Sequence, residues 1–304
     1  MRTIAPCLAA LLLAAGVIAV PAPLAAQPAR PTSGLNAFLN ITPKRLTFDG
    51  RRRIGSIVLL NQGTEPVTVD VALIDRVMLT DGQILAVDDA AGRADGRTAT
   101  SQLKSAKALL QLSPRRATLQ PGRPQTVRVR LATLPGAADG EHRSHLTVTT
   151  LPPRDTGSTA EAAAAGRTDN ELSFQITAIY GLSIPIIVRP AEPDVRATLE
   201  GARVEFAAAP GDGRVPRGPT AVLALDLVRG GASSVYGNFE VRVVGEKKGS
   251  EPLGLARGVG VYPEIPRRVV RIPLSRAPAA GERLEVTFTD DDTSPGKVLA
   301  KAVL

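Results

Sequence analysis

The chain has 304 residues, 37 Lys and Arg against 29 Asp and Glu, a formal net charge of +8, and only 3% aromatic residues. With one cysteine and two histidines, it has too few thiols for a disulfide framework or a Cys-ligated metal site, and little with which to build a catalytic triad. The scarcity of aromatics argues against a base-stacking platform despite the positive charge.

The first residues, MRTIAPCLAALLLAAGVIAVPAPLAAQ, combine a positive start at Arg2, a Leu/Ala-rich run and small residues at Ala25 and Ala26. Residues 1–26 read as a cleaved secretory signal peptide. A membrane anchor fits less well, because the apolar core is short and broken by Pro21 and Pro23. Cys7 follows Pro6 with no apolar run before it, unlike a lipoprotein cysteine, so the mature chain keeps no thiol. The mature product is expected to be exported, without a membrane anchor. Roughly 275 residues suit one large or two ordinary domains.

Downstream, SIVLLNQGTEPVTVDVALI reads as two alternating runs around a Gly/Glu/Pro turn. LLQLSPRRATLQPGRPQTVRVRL repeats the scheme, broken at Pro121 and Gly122. GEHRSHLTVTTLPP is a further strand before a proline stop. Residues 154–170, RDTGSTAEAAAAGRTDN, are small and polar and read as a mobile loop. Then comes ELSFQITAIYGLSIPIIVRP. Its even positions Leu172, Phe174, Ile176, Ala178, Tyr180, Leu182 and Ile184 are small or apolar, while most odd ones are polar or Gly. This period-2 pattern runs well beyond a strand of ordinary length. After Arg189-Pro190 the pattern restarts, with TAVLALDLVRG, NFEVRVVG, RRVVRIPL and ERLEVTFTD as strands. The expected fold is all-β, with two tandem immunoglobulin-like β-sandwich domains over 37–188 and 189–304, joined by a short rigid proline hinge.

Catalytic and metal chemistry find little support. His142 and His145 sit three apart in an expected strand, which sends their rings to opposite faces, and they read as a solvated pair with no metal site. No G-x-S-x-G elbow occurs. Asp290 to Asp292 lack the spacing of a calcium loop and read as a solvated hairpin turn. No cofactor and no enzymatic activity are expected. The arginine run Arg51 to Arg53 reads as a solvated surface, and nucleic acid is not an expected partner of an exported protein.

RLTFDG at 45–50, SIVLLNQGTEPVTVDVAL at 56–73, SPRRATLQPGRPQTVRVRL at 113–131, HRSHLTVTTLPP at 142–153 and the long strand ending in VRP follow each other in order. Together they resemble the first domain of the periplasmic pilus-assembly chaperones of the chaperone–usher family, over roughly residues 37–190; the remainder is similar to that family's divergent second domain. The resemblance implies two Ig-like sandwiches set as an L, with a subunit-binding cleft between them. It implies a periplasmic chaperone that caps pilin subunits by donating a β-strand and delivers them to an outer-membrane usher. It thereby gives a purpose to the long strand. A row comprising Leu172, Phe174, Ile176, Ala178, Tyr180 and Leu182 would fill the groove of an incomplete pilin while its backbone pairs the open edges. Completing this chain's own sheet is the other use of those residues. An exported structural or adhesive Ig-like protein without a folding client is the alternative function.

The resemblance also assigns single residues. Arg45 in RLTFDG matches the arginine that holds the pilin's terminal carboxylate. The family's lysine partner falls on Pro185, which carries neither charge nor N–H. Arg189 matches the arginine of an interdomain salt bridge. Its usual glutamate partner is replaced by Arg143, so that bridge is either rebuilt, with Glu141 as a candidate, or absent. Ser183 is a candidate second donor to a bound carboxylate, and Lys44 a weaker one.

Overall fold

The computed structural model describes residues 39–152, 179–207, 220–246 and 249–304. Residues 1–26, read from the sequence as a signal peptide, residues 154–170, read as a loop, and the positions Leu172, Phe174, Ile176 and Ala178 lie outside the described residues. In chain order, the first half contains β1 (Leu39–Thr42), β2 (Leu46–Phe48), β3 (Ile54–Asn61), β4 (Val67–Ile74), β5 (Arg76–Met78), β6 (Ile84–Ala86), the helical turn α1 (Val87–Ala90), helix α2 (Ala94–Gln102), β7 (Leu110–Ser113), β8 (Arg116–Leu119), β9 (Pro124–Leu131), β10 (His142–Thr150) and β11 (Gly181–Val188). The second half contains β12 (Ala197–Ala207), β13 (Thr220–Arg229), β14 (Val235–Val243), β15 (Gly254–Val261), β16 (Arg267–Pro273), β17 (Leu284–Asp290) and β18 (Val298–Val303).

Alternation in the sequence becomes alternation across each sheet. In β9, Val127, Val129 and Leu131 are buried while Arg128 and Arg130 are exposed, as the two faces of a pleated strand require. Four strands pair in the order β1-β3-β9-β7 and five in the order β2-β11-β10-β4-β8. The chain changes sheets between β1 and β2, at Pro43 and Lys44, so β1 pairs antiparallel with β3 and β2 pairs parallel with β11. Ile41, Phe48, Ile57, Leu59, Val71, Val127, Leu146, Ile186 and their neighbours fill the space between the two layers. The second sandwich stacks β12-β13-β16 on β15-β14-β17-β18, around Leu223, Leu225, Phe239, Val261, Ile272, Val286 and Phe288. The fold is thus two Ig-like β-sandwiches.

Between β4 and β7 the chain makes an excursion that the sequence pattern did not reveal: the hairpin β5–β6, then α1 and α2. Val77, Met78, Ala90 and Ala99 of this excursion, with Ile187 of β11, join the core of the second sandwich rather than the first. Beyond β5, the Val269 N–H donates to Thr80 O at 2.7 Å. Gly82 closes the turn at φ +88°, a backbone conformation that favours glycine. The two halves are therefore joined by more than the expected proline hinge. A continuous apolar cluster ties the two halves together, which opposes independent domain motion.

This excursion also explains why the run Ile186, Ile187, Val188 breaks the alternation. Ile186 and Val188 face the first core, and Ile187 faces the second. A strand end covered on both faces reads as a continuous apolar run. Because Met78 is 2% exposed within the shared cluster, Met78→Ala should lower stability by about 2–5 kcal/mol. Urea unfolding followed by circular dichroism checks this. A variant that unfolds at the wild-type midpoint would mean that the hairpin does not couple the halves.

Candidate functional site

β11 is held along one side by β10 over its whole length, Gly181 to Val188. On the other side β2 covers only Ile186 to Val188, and Arg189 N–H extends that pairing with a 2.8 Å bond to Phe48 O. Backbone groups alternate sides along a strand. Thr150 N–H donates to Tyr180 O at 2.9 Å, so the even residues point their backbone groups at β10 and the odd ones at the β2 side. Gly181, Ser183 and Pro185 thus face an edge that is open among the described residues. Pro185 keeps its register opposite His145 and withholds a donor only from the open edge, the one place a sheet tolerates proline.

The parallel register sets Ile186 beside Leu46. One step back, Arg45 stands abreast of Pro185, where the open edge begins. Arg45 is mostly buried, with 11% of its side chain exposed. Its Nη2 lies 3.1 Å from Asp292 Oδ2 and 3.3 Å from Ser234 Oγ. Its guanidinium carbon sits 4.5 Å from the Tyr236 ring centroid and 6.0 Å from that of Tyr262, close enough for cation–π attraction. Arg45 Nε and Nη1 are buried with no partner among the described residues.

Arg189 shares the same carboxylate. Its Nη2 is 2.6 Å from Asp292 Oδ2 and 3.1 Å from Ser234 Oγ, and its Nε is 2.8 Å from Glu141 Oε2. Burial opposes its charge, but Glu141 and Asp292 outweigh that and raise its pKa. Glu141 Oε2 also accepts the Ser234 N–H at 3.2 Å. Arg189 thus reaches from the first sandwich to the loop after β17 through Asp292, while Glu141 braces it from within its own sandwich. Asp292 is held in place by a turn built on Asp290, which accepts from the Asp292 and Ser294 N–H groups and the Thr293 hydroxyl. Burial works to raise the Asp290 carboxyl, but these donors hold it below the usual carboxylate range.

Beside this cluster lies a second. Arg143 is fully buried, ion-paired with Glu264, donating to Arg76 O at 2.8 Å and 4.0 Å from the Tyr262 centroid. Glu264 Oε1 also accepts the Met78 N–H at 3.0 Å. Tyr262 therefore has a guanidinium on either hand, and burial raises its phenol pKa. His145 Nδ1 lies 3.1 Å from Arg143 Nη1. Its pKa is pushed down to about 2, first by burial and then by the charges of Arg143 and Arg76.

Several expectations change here. The turn at Asp290 to Asp292 is not simply solvated: Asp290 is buried and Asp292 belongs to the arginine cluster. His145 is buried as well, so the two histidines are not a solvated pair. Arg143 is ion-paired with Glu264, and Arg189 with Glu141. The Ser183 hydroxyl faces Thr147 Oγ1 at 3.0 Å, and Lys44 Nζ donates to Asn40 Oδ1 at 2.8 Å. Of the apolar row, Ile184 is buried in the chain's own core and Leu182 packs against that core; Tyr180 is half-buried. Ser234, Tyr236 and Glu264 were not singled out from the sequence, and Asp292 only as part of a solvated turn. Among the described residues no group of three or more His, Cys, Asp or Glu is gathered to hold a metal.

Two Ig-like sandwiches thus meet at buried arginines, beside a strand edge that is open in part among the described residues. No protein-family model and no curated protein matches the chain. Among solved structures it is similar to the YadV chaperone, at 12% identity over 88% of this chain and 99% of that chain, with a TM-score of 0.41. It is similar to the E. coli chaperone DraB, at 14% identity over 88% and 96%, with a TM-score of 0.39. It is also similar to the CsuC–CsuE chaperone–tip adhesion subunit pre-assembly complex from Csu pili of Acinetobacter baumannii, at 13% identity over 88% and 97%, with a TM-score of 0.40.

His145 makes the interface acid-sensitive. The unfolded chain takes up a proton near pH 6.5, whereas the folded one resists until far lower pH. A depressed histidine pKa stabilises the fold above the unfolded value and loses that contribution as pH falls below it. Between pH 7.5 and 5.0 wild type should lose about 2 kcal/mol more than His145→Gln. Urea midpoints of both proteins at the two pH values check this; parallel losses would refute it.

Proposed function

We propose that this chain is a periplasmic chaperone that binds an incomplete Ig-like subunit, a pilin, by strand addition along β11, and passes it to an outer-membrane usher without ATP or catalysis. The observation that carries the reading is the edge of β11 from Gly181 to Pro185, open among the described residues, with Arg45 at its inner end. β2 runs parallel to β11 and takes over the edge where the opening stops. A client strand lying parallel along the opening would end at that point, with its terminal carboxylate beside Arg45. The row Leu172, Phe174, Ile176, Ala178, Tyr180 and Leu182 would extend this chain's apolar layer into the client's groove, since Leu182 already borders the core on that face. Each large side chain buried there would contribute about 1.5–3 kcal/mol before ordering costs.

The unpartnered Nε and Nη1 of Arg45 supply donors for a client carboxylate, and charge-assisted bonds of this kind contribute about 1.5–3 kcal/mol. With Pro185 where the family has lysine, Arg45 and the neighbouring Arg189 are the cations at hand. In the client-free chain Asp292 occupies both of them. The client carboxylate would therefore compete with an internal one, and Arg189 would serve mainly to hold the interdomain geometry.

A labelled peptide of alternating apolar residues, made with a free and with an amidated C-terminus, tests the anchor by fluorescence anisotropy. The free acid should bind about tenfold or more tightly than the amide. Arg45→Ala should erase that preference, and Asp292→Asn should enlarge it. Equal affinity of wild type for the two peptides would remove the carboxylate anchor. Strand addition is checked separately with Ile176→Asp/Tyr180→Asp, which should abolish binding of both peptides.

A further inference from the structure

Away from β11, on the other sheet of the first sandwich, the outward face of β3, β9 and β7 carries arginines without acids. Cross-strand partners set Ile54 beside Arg130 and Gln111, and Ser56 beside Arg128 and Ser113. Ile54, Gln111, Ser113, Arg128 and Arg130 line, with Arg115, an open groove of about 500 Å³. No Asp or Glu occurs on β1, β3, β7 or β9, and none occurs between Asp95 and Asp139. Arg115, Arg128 and Arg130 are exposed and make no ion pair among the described residues. Other exposed arginines do have a nearby carboxylate, as Arg116 has Asp70, Arg196 has Asp194 and Arg276 has Glu282. Arg128 and Arg130 stand two apart on one strand face, and among the described residues no carboxylate pairs with either. Ile54, 68% exposed, stands at the edge of the same groove.

We infer that this face docks an extended, acidic segment of a partner polypeptide, with carboxylates at alternate positions and an apolar side chain against Ile54. Arg128 and Arg130 are separated by two strand rises, about 6.5–7 Å, which is also the spacing of alternate side chains on an extended chain. Each carboxylate can take a guanidinium fork. No aromatic lines the groove to stack a base. The face belongs to the sheet that does not contain β11, so a partner can sit here whether or not β11 is occupied, and the inference does not rest on the client-binding reading.

The probe is a labelled peptide of alternating Glu and Val, measured at low salt by fluorescence anisotropy against Arg128→Glu/Arg130→Glu and against Arg257→Glu, an exposed arginine of the second sandwich. The double variant should lose about tenfold or more in affinity, with Arg128→Gln/Arg130→Gln in between and Arg257→Glu unchanged. Circular dichroism confirms that the variants fold, and added salt should weaken the wild-type complex. No binding by wild type, equal binding by the double variant, or equal binding of a peptide with Lys in place of Glu would overturn the inference. So would arginine-dependent flotation with phosphatidylglycerol vesicles when the peptide is not bound, which would make the face a lipid site.

Discussion

One carboxylate oxygen, Asp292 Oδ2, is shared by Arg45 and Arg189, and the geometry of the junction between the sandwiches depends on it. Buried ion pairs add little net stability, because desolvating the charges offsets their attraction. What they supply is selectivity of arrangement. A displaced Asp292 would leave two guanidinium groups underpaired at the end of β11, and an unmatched buried charge costs several kcal/mol. The Asp290-capped turn that presents Asp292 is therefore part of the site, although it lies at the far end of the chain.

Apolar contact does the holding. The excursion between β4 and β7 carries Val77 and Met78 into the second core, and its backbone is tied to the Arg143–Glu264 pair through Arg76 O and Met78 N–H. Apolar burial fixes how far apart the halves stand, and the charge clusters fix their register. That division of labour suits a non-directional force combined with directional bonds. It also leaves the edge of β11 in a constant relation to Arg45.

Proline at 185 illustrates how a local rule acquires meaning from position. In the middle of a fully paired strand it would remove a ladder bond. Here the strand's even residues bond β10, and the missing N–H falls on the open side. The same residue discourages indiscriminate edge pairing close to Arg45, a common protection of exposed strands.

The strands β3, β4, β8, β9, β10, β13, β14, β16 and β17 were legible from period-2 alternation between Gly/Pro turns, because which face a residue takes is a local property of a pleated chain. Arg45 and Arg189 were legible as candidates through ordered sequence blocks. The hairpin β5–β6 and helix α2 were not, since their apolar residues are few and serve a core made mostly by the other sandwich. Among the partners of the arginines, Glu141 was named as a candidate for Arg189, but neither Asp292 nor Glu264 was. Asp292 lies 247 residues from Arg45, and no periodicity connects them. The sequence by itself determined the two sandwiches and the side of each strand that is apolar. Only the tertiary structure decided which carboxylate meets which guanidinium, because a buried charge takes as partner whichever opposite charge the packing of distant loops brings within bonding distance.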